Sequence, residues 1–288
     1  MLTVWQQGDW AVECDPDGGR LTRIAWRGRD LLTRPHLPGG VFTPPDPKWG
    51  EFETRPVFGY DDCWPSLEIS VWPDRDQPVR DHGELCWRRW SVTPTELALH
   101  AAVSEPGDWT FARDLSCPDG ALRFDFAVTN TGDRPLTMSW AGHALLPPGA
   151  LRGLVLPECE AITQEFPEAG EMEMQLAEAW PYLAALPRGA AVMLVLRHCH
   201  TPEFTVALDD DLRWRVGIEG ARRPSLGLWY NHGGYPPQPG LERTELGLEW
   251  LLTPECVLKQ AAQSGSAIVL APREKLRWVV IWSIEEKP

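Results

Sequence analysis

Apolar and polar positions alternate with period two along much of the chain, as in Leu122-Arg123-Phe124-Asp125-Phe126-Ala127-Val128 and Leu212-Arg213-Trp214-Arg215-Val216. This is the pattern of a strand with one buried face. Strand chemistry recurs over 3–6, 21–26, 67–72, 85–92, 96–103, 109–115, 121–129 and 136–146, then over 191–198, 204–208, 212–218, 226–230, 245–252, 266–270 and 276–284. Asp17-Gly18-Gly19, Arg27-Gly28-Arg29-Asp30, Pro118-Asp119-Gly120 and Asn130-Thr131-Gly132-Asp133 carry residues that tolerate positive φ or form Asx turns, and they read as hairpin turns. The 28 Pro and 25 Gly are spread throughout rather than gathered into a linker, which excludes long helices. One segment, 168–180 (EAGEMEMQLAEAW), reads as a helix stopped by Pro181. The Pro-rich stretch 39–56 reads as a long irregular loop over the sheets, the kind of segment that forms sites. With no repeat, heptad or composition break, residues 1–288 read as one all-β domain of antiparallel sheets packed as a sandwich or barrel.

Charge narrows the function classes. Twenty-seven basic against 41 acidic residues leave a net charge of −14, the wrong sign for neutralising nucleic-acid phosphates or docking on anionic lipid. No apolar run approaches the ~18 residues that cross a bilayer, and the start shows neither a basic leader nor a signal-type stretch, so the expectation is a soluble, cytoplasmic protein. Seven scattered cysteines without a Cys-x-x-Cys pair read as reduced thiols. Sixteen Trp against four Tyr, with 23 Arg against four Lys, follows a bias toward GC-rich codons as much as a chemical choice, so the Trp count alone is no sugar platform.

Reactive side chains gather in a few polar stretches: Phe58-Gly59-Tyr60-Asp61-Asp62-Cys63-Trp64, Asp81-His82-Gly83-Glu84-Leu85, Trp140-Ala141-Gly142-His143-Ala144 and Trp229-Tyr230-Asn231-His232-Gly233. In the late strand Thr244 to Trp250, alternation turns Leu246, Leu248 and Trp250 one way and Glu245, Gly247 and Glu249 the other. A carboxylate row of that kind is as readily a solvated face as a site. His198 and His200 share a strand face and His232 could join them, but without His-Glu-x-x-His, Cys-x-x-Cys or a dense carboxylate cluster no metal is expected. Gly-rich phosphate loops and a Gly-x-Ser-x-Gly elbow are also missing, so no cofactor and no serine hydrolysis are expected.

The order Gly-Gly-Arg-Leu-Thr-Arg-Ile (residues 18–24), Gly-Tyr-Asp-Asp, Asp-His-Gly-Glu-Leu, Trp-Ala-Gly-His, Trp-Tyr-Asn and Leu-Gly-Leu-Glu resembles the aldose 1-epimerase (galactose mutarotase-like) superfamily over nearly the whole chain. The resemblance implies a β-supersandwich holding a monosaccharide on a concave face, and an isomerase that opens and recloses the pyranose by acid/base chemistry. It further implies Glu249 as general base, His143 as general acid and His82 as a hydrogen-bonding partner of the ring. Asp61 and Asp62 are candidates for sugar hydroxyls, although a tandem acid before Cys-Trp-Pro equally reads as a turn that caps its own backbone. Trp229 is a candidate stacking surface with core packing as the alternative; Asn231 a ligand contact or a turn residue; Arg55 a candidate binding arginine. Two neighbours differ from the family pattern: Ala144-Leu145 follow His143, and Trp250 follows Glu249. The alternatives are a non-catalytic sugar-binding or sensing domain of the same fold, and a hexose-phosphate mutarotase, the latter requiring Arg55, Arg80, Arg88 or Arg89 to converge on the pocket.

Overall fold

The period-two segments become two large antiparallel sheets in the computed structural model, which describes residues 1–35, 52, 56–208, 211–237, 240 and 242–286. Among the described residues the larger sheet has eleven strands. Ten run in the order Thr3–Gln7, Trp10–Cys14, Leu21–Trp26, Tyr60–Cys63, Ala141–Leu146, Thr244–Leu251, Ser225–His232, Ala191–Arg197, Ala161–Phe166 and Gly170–Glu171, with Arg29–Asp30 paired to Leu21–Trp26. The smaller has eight, in the order Gly153–Val155, Glu203–Ala207, Leu212–Glu219, Lys275–Glu286, Leu122–Asn130, Trp109–Ser116, Leu99–Glu105 and Ser91–Pro94.

The smaller sheet keeps one face wet: over Trp109–Ser116 and Leu122–Asn130 every second residue is buried and those between are partly exposed. Its buried face packs on the larger sheet through aromatic rings, with Tyr60 on Phe124 at 5.7 Å, Trp140 on Phe126 at 4.9 Å and Trp250 on Phe204 at 5.5 Å. The central strands of the larger sheet are buried on both faces, which is why Ala141–Leu146 and most of Thr244–Leu251 show no wet positions. Their second face is covered by Phe52, Val57, Leu67 and the turn around His82 to Trp87.

The turns form where expected, three of them as hairpins; the Asn130 to Asp133 turn instead leads from Leu122–Asn130 to Leu136–Met138, which pairs with Ile268–Leu270 in a separate sheet. Arg27 and Gly28 take φ of 47° and 80° between Trp26 and Arg29, and the Asn130 side chain accepts from the Gly132 amide at 3.0 Å while donating to the Arg134 carbonyl. Two expectations need correcting. The helix spans Leu176–Ala184 rather than 168–180: Glu178 accepts the Gln175 amide and fixes the start, and Pro181 lies inside the helix, whose packing of Ala179 and Leu183 outweighs the lost hydrogen bond. The run 85–92 is not one strand. His82 and Gly83, both at positive φ, reverse the chain, and Leu85–Trp87 form a 3-10 turn that buries three consecutive side chains, which a strand cannot do on one face. The predicted loop 39–56 lies almost entirely outside the described residues.

Among the described residues, the three N-terminal strands join the rest of the larger sheet through a single ladder pair, Leu21 with Tyr60. Side chains complete the junction. Arg20 donates to both oxygens of Asp61 (Nε at 3.0 Å to each, Nη2 at 2.5 Å to Oδ2), and Arg113 reaches across from the smaller sheet to Asp62 at 2.6 Å and the Gly19 carbonyl at 2.6 Å. All four charged side chains are buried. Removing one member of such a pair leaves an uncompensated buried charge, so Arg113→Ala is expected to cost about 3–5 kcal/mol. Urea unfolding of parent and variant measures this; a loss below about 1 kcal/mol would show that Asp62 does not depend on Arg113.

Candidate active site

Four neighbouring strands of the larger sheet supply the floor of a pocket of about 320 Å³ on the face turned away from the smaller sheet. Alternation decides what reaches it. Along Thr244–Leu251 the core takes Leu246, Leu248 and Trp250, and the pocket receives Glu245 and Glu249. His143 comes from the adjacent Ala141–Leu146 strand, Trp229 from Ser225–His232 and Met193 from Ala191–Arg197. His82, Asp81, Phe52, Val57, Leu67 and Phe166 wall the opening. The carboxylate row is therefore a buried one: Glu245 and Glu249 are each 1% exposed.

His143 Nε2 lies 3.6 Å from Glu249 Oε1. The second oxygen of that carboxyl, Oε2, and the second nitrogen of that ring, Nδ1, are buried with no hydrogen-bond partner. Burial pushes the Glu249 carboxyl up to about 8, with His82 opposing the shift and Glu245 and Glu68 adding to it. Burial likewise drives His143 well below the usual imidazole range, helped by His82 and opposed by Asp61. Near neutral pH the pair thus holds one proton between two groups whose affinities have been brought to, or past, each other. His82 stands at 5.0 Å from His143, ring edge to face, and is itself fixed by stacking on Phe52 at 3.7 Å and by Asp81 Oδ1 at 3.0 Å from its Nδ1. That contact assigns the proton on Nδ1 and fixes the plane of the ring.

Gly247 makes room for the pair. A Cβ there would stand 2.6 Å from Glu249 Oε1 and 2.9 Å from Trp229 Cβ, so the carboxyl occupies the space that a side chain would fill. Trp229 is half-buried in the pocket wall against Phe166 and Tyr235, with its Nε1 donating to Glu245 at 3.2 Å.

The remaining sequence candidates lie elsewhere. Asp61 sits across from His143 in the ladder, but its carboxylate is bound by Arg20, and it does not line the pocket. Asp62 points between the sheets, where Arg113, Tyr60 at 2.9 Å and Trp140 at 3.1 Å surround it, and it does not line the pocket. Asn231 is fully buried on the Ser225–His232 strand, where its side chain accepts from the Gly234 and Tyr235 amides and donates to the Tyr235 carbonyl and, at 3.4 Å, to Glu245. Arg55 lies outside the described residues. Arg88 pairs with Glu105 and Arg89 with Asp17, while Arg80 lies over the Trp87 ring; among the described lining residues the pocket's arginine is Arg243. Arg243, Glu245, Phe166 and Tyr235 were not singled out by sequence as ligand contacts. Glu245 was visible through its shared parity with Glu249, the others through nothing local.

No family model and no curated protein matches the sequence. Solved structures do. Slr1438 protein from Synechocystis sp. PCC 6803 aligns over 100% of this chain and 96% of its own with a TM-score of 0.72 at 16% identity. A provisionally assigned aldose 1-epimerase of Escherichia coli K12 aligns over 99% of each chain at 0.67 and 13%, and a galactose mutarotase-like protein of Lactobacillus casei over 99% and 100% at 0.65 and 12%. The chain has the galactose mutarotase-like fold. Of the neighbours that depart from the family pattern, Ala144 and Trp250 belong to the inter-sheet core and face away from the pocket, whereas Leu145 packs with Phe52 and Val57.

A carboxyl raised by burial is held neutral in the folded chain and ionises on unfolding. It stabilises the fold below its ordinary value near 4.5, and that contribution is lost as pH rises toward about 8. Glu249→Gln is therefore expected to raise stability by about 3 kcal/mol at pH 7 and hardly at all at pH 4. Melting curves across that range check it, and an offset independent of pH would refute the assignment. Gly247→Ala should displace the Glu249 carboxyl and cost about 1–3 kcal/mol as an overpacked site, measured by the same melts.

Proposed function

We propose that this protein is an aldose 1-epimerase-like isomerase, which interconverts the α and β anomers of a free aldose. The observation that carries the reading is the His143–Glu249 pair, buried, 3.6 Å apart and lacking other partners at Oε2 and Nδ1, at the base of a pocket of monosaccharide size. Anomer exchange needs a base on the anomeric hydroxyl and an acid on the ring oxygen of the same ring. Glu249 takes the hydroxyl proton and His143 delivers one to the ring oxygen; the C1–ring-oxygen bond breaks, an aldehyde forms, and rotation about the C1–C2 bond exposes its other face. Reclosure runs the two transfers backwards and yields the opposite anomer.

The reacting tautomer carries its proton on His143, whereas the empty pocket favours Glu249. Both states have the same net charge, so pH acts on the pair as a unit. His82, 5.0 Å from His143 and held by Asp81 and Phe52, stands beside the reacting ring, and the Trp229 face offers a surface for the apolar C–H side of the sugar. No bound cofactor enters these steps.

Mutarotation of freshly dissolved α-D-glucose and α-D-galactose, followed by polarimetry, tests the reading. Catalysis should give a bell-shaped profile in the free enzyme, with the upper limb falling near pH 8 as the pair loses its last proton and the lower limb below the usual imidazole range as it gains a second. Glu249→Gln and His143→Ala should each lower the rate by about 100-fold or more. A flat profile would count against the His143–Glu249 pair, and a parent protein that binds a sugar without accelerating its mutarotation would favour a sugar-binding domain instead.

A further inference from the structure

Glu245 is the second carboxylate of the pocket strand and takes no part in the proton transfers. It is as buried as Glu249 and lines the same pocket. Its two oxygens are unequally used. Oε1 accepts from Arg243 Nε at 2.9 Å, from Trp229 Nε1 at 3.2 Å and from Asn231 Nδ2 at 3.4 Å, whereas Oε2 makes no hydrogen bond with any described residue. Three donors on one oxygen fix the plane of the carboxylate and leave the other oxygen as an acceptor in a site poor in water. A buried acceptor without a donor costs free energy, and a donor brought by a ligand removes that cost. Of the other carboxylates that line the pocket, Glu249 is the proposed base, Asp81 is engaged by His82, and Glu68 is exposed.

Glu245 and Glu249 share one face of the Thr244–Leu251 strand, four residues and about 13 Å apart at their Cα atoms. The Glu249 carboxyl leans over Gly247, where a Cβ would meet its Oε1 at 2.6 Å, and this brings the two carboxyls closer than that span. Anomer exchange sets the C1–ring-oxygen bond at His143 and Glu249, and the bond directly opposite it in a six-membered ring is C3–C4. From this geometry we propose that Glu245 Oε2 accepts a hydrogen bond from the C3 or C4 hydroxyl of the bound aldose, which makes Glu245 a specificity-determining residue. The proposal rests on the anomer-exchange reading for the position of C1. It commits the pocket to an aldose with a free hydroxyl on its far edge, since a deoxy carbon or an ether oxygen has no proton to donate.

The test takes the better of D-glucose and D-galactose with its 2-, 3- and 4-deoxy analogues, and measures mutarotation and calorimetric binding for the full chain and for Glu245→Gln, which keeps the shape of the side chain and an acceptor for Arg243. In the parent, loss of one far-edge hydroxyl should lower kcat/KM about tenfold or more, mainly through KM, the scale of a hydrogen bond to a charged group. Glu245→Gln should lower kcat/KM for the intact sugar by a similar factor and lose less than about twofold more on that same analogue, while the effect of 2-deoxygenation multiplies independently. The analogue that responds identifies C3 or C4. Should Glu245→Gln not fold, Glu245→Asp, which keeps the charge beside Arg243 and draws the acceptor back, takes its place with the same expectation. Unimpaired 3- and 4-deoxy analogues in the parent overturn the proposal without any variant, and so does a substitution that lowers all four sugars alike, as a merely structural role would. If the parent binds sugars but turns none over, the same comparison in Kd decides: a loss shared between hydroxyl and carboxylate keeps the contact while the epimerase reading falls, and equal or absent binding of all four sugars removes it.

Discussion

Two consecutive carboxylates on one short strand point in opposite directions, and a buried guanidinium meets each of them. Asp61 is met by Arg20 from the turn before Leu21–Trp26, and Asp62 by Arg113 from the other sheet. Among the described residues the backbone ladder at this seam is a single residue pair, so the side chains hold together what main-chain hydrogen bonding leaves nearly open. Gly59, at φ 76°, lets the chain pass the Leu21 carbonyl, where a Cβ would come within 2.5 Å. The strands that carry His143 and Glu249 follow directly on the far side of this seam.

Desolvation is the common cause behind the chemistry of the pocket. A glutamate on an exposed strand would be an ordinary anion, and an exposed histidine would titrate close to neutrality. Here both lie beneath Phe52, Val57, Leu67 and His82, and the loss of water moves the two groups toward each other's proton affinity. The unpartnered Oε2 and Nδ1 are polar atoms whose hydration the fold removes without replacement. Such sites cost stability and are retained where the groups have work to do on a ligand.

The sheets were legible in the sequence because period-two alternation is a direct imprint of burial on one face. Glu245, Gly247 and Glu249 could be set on one side of their strand for the same reason. Arg113 was not singled out, although it falls on the face shared by Trp109, Phe111 and Leu115, and nothing local named Asp62 as its partner. What alternation cannot encode is the cover. Whether the carboxylate row meets water depends on segments up to about two hundred residues away, and the directions of Asp61 and Asp62 depend on arginines from two other strands or turns. The helix start and the turn at Leu85–Trp87 were set by tertiary packing rather than by propensity.

The strict in-and-out alternation of the pocket strands has an evolutionary consequence. His143 and Glu249 face a cavity, while Ala144 and Trp250, one residue along, belong to a different environment altogether. Selection on ligand chemistry and selection on packing therefore act on interleaved but separate sets of positions, and either set can drift while the other stays still. A backbone superposing at a TM-score of 0.72 with only 16% of residues in common is what such a division of labour permits. For protein engineers it separates Glu245, which faces the pocket, from Leu246 and Leu248, which pack the interior.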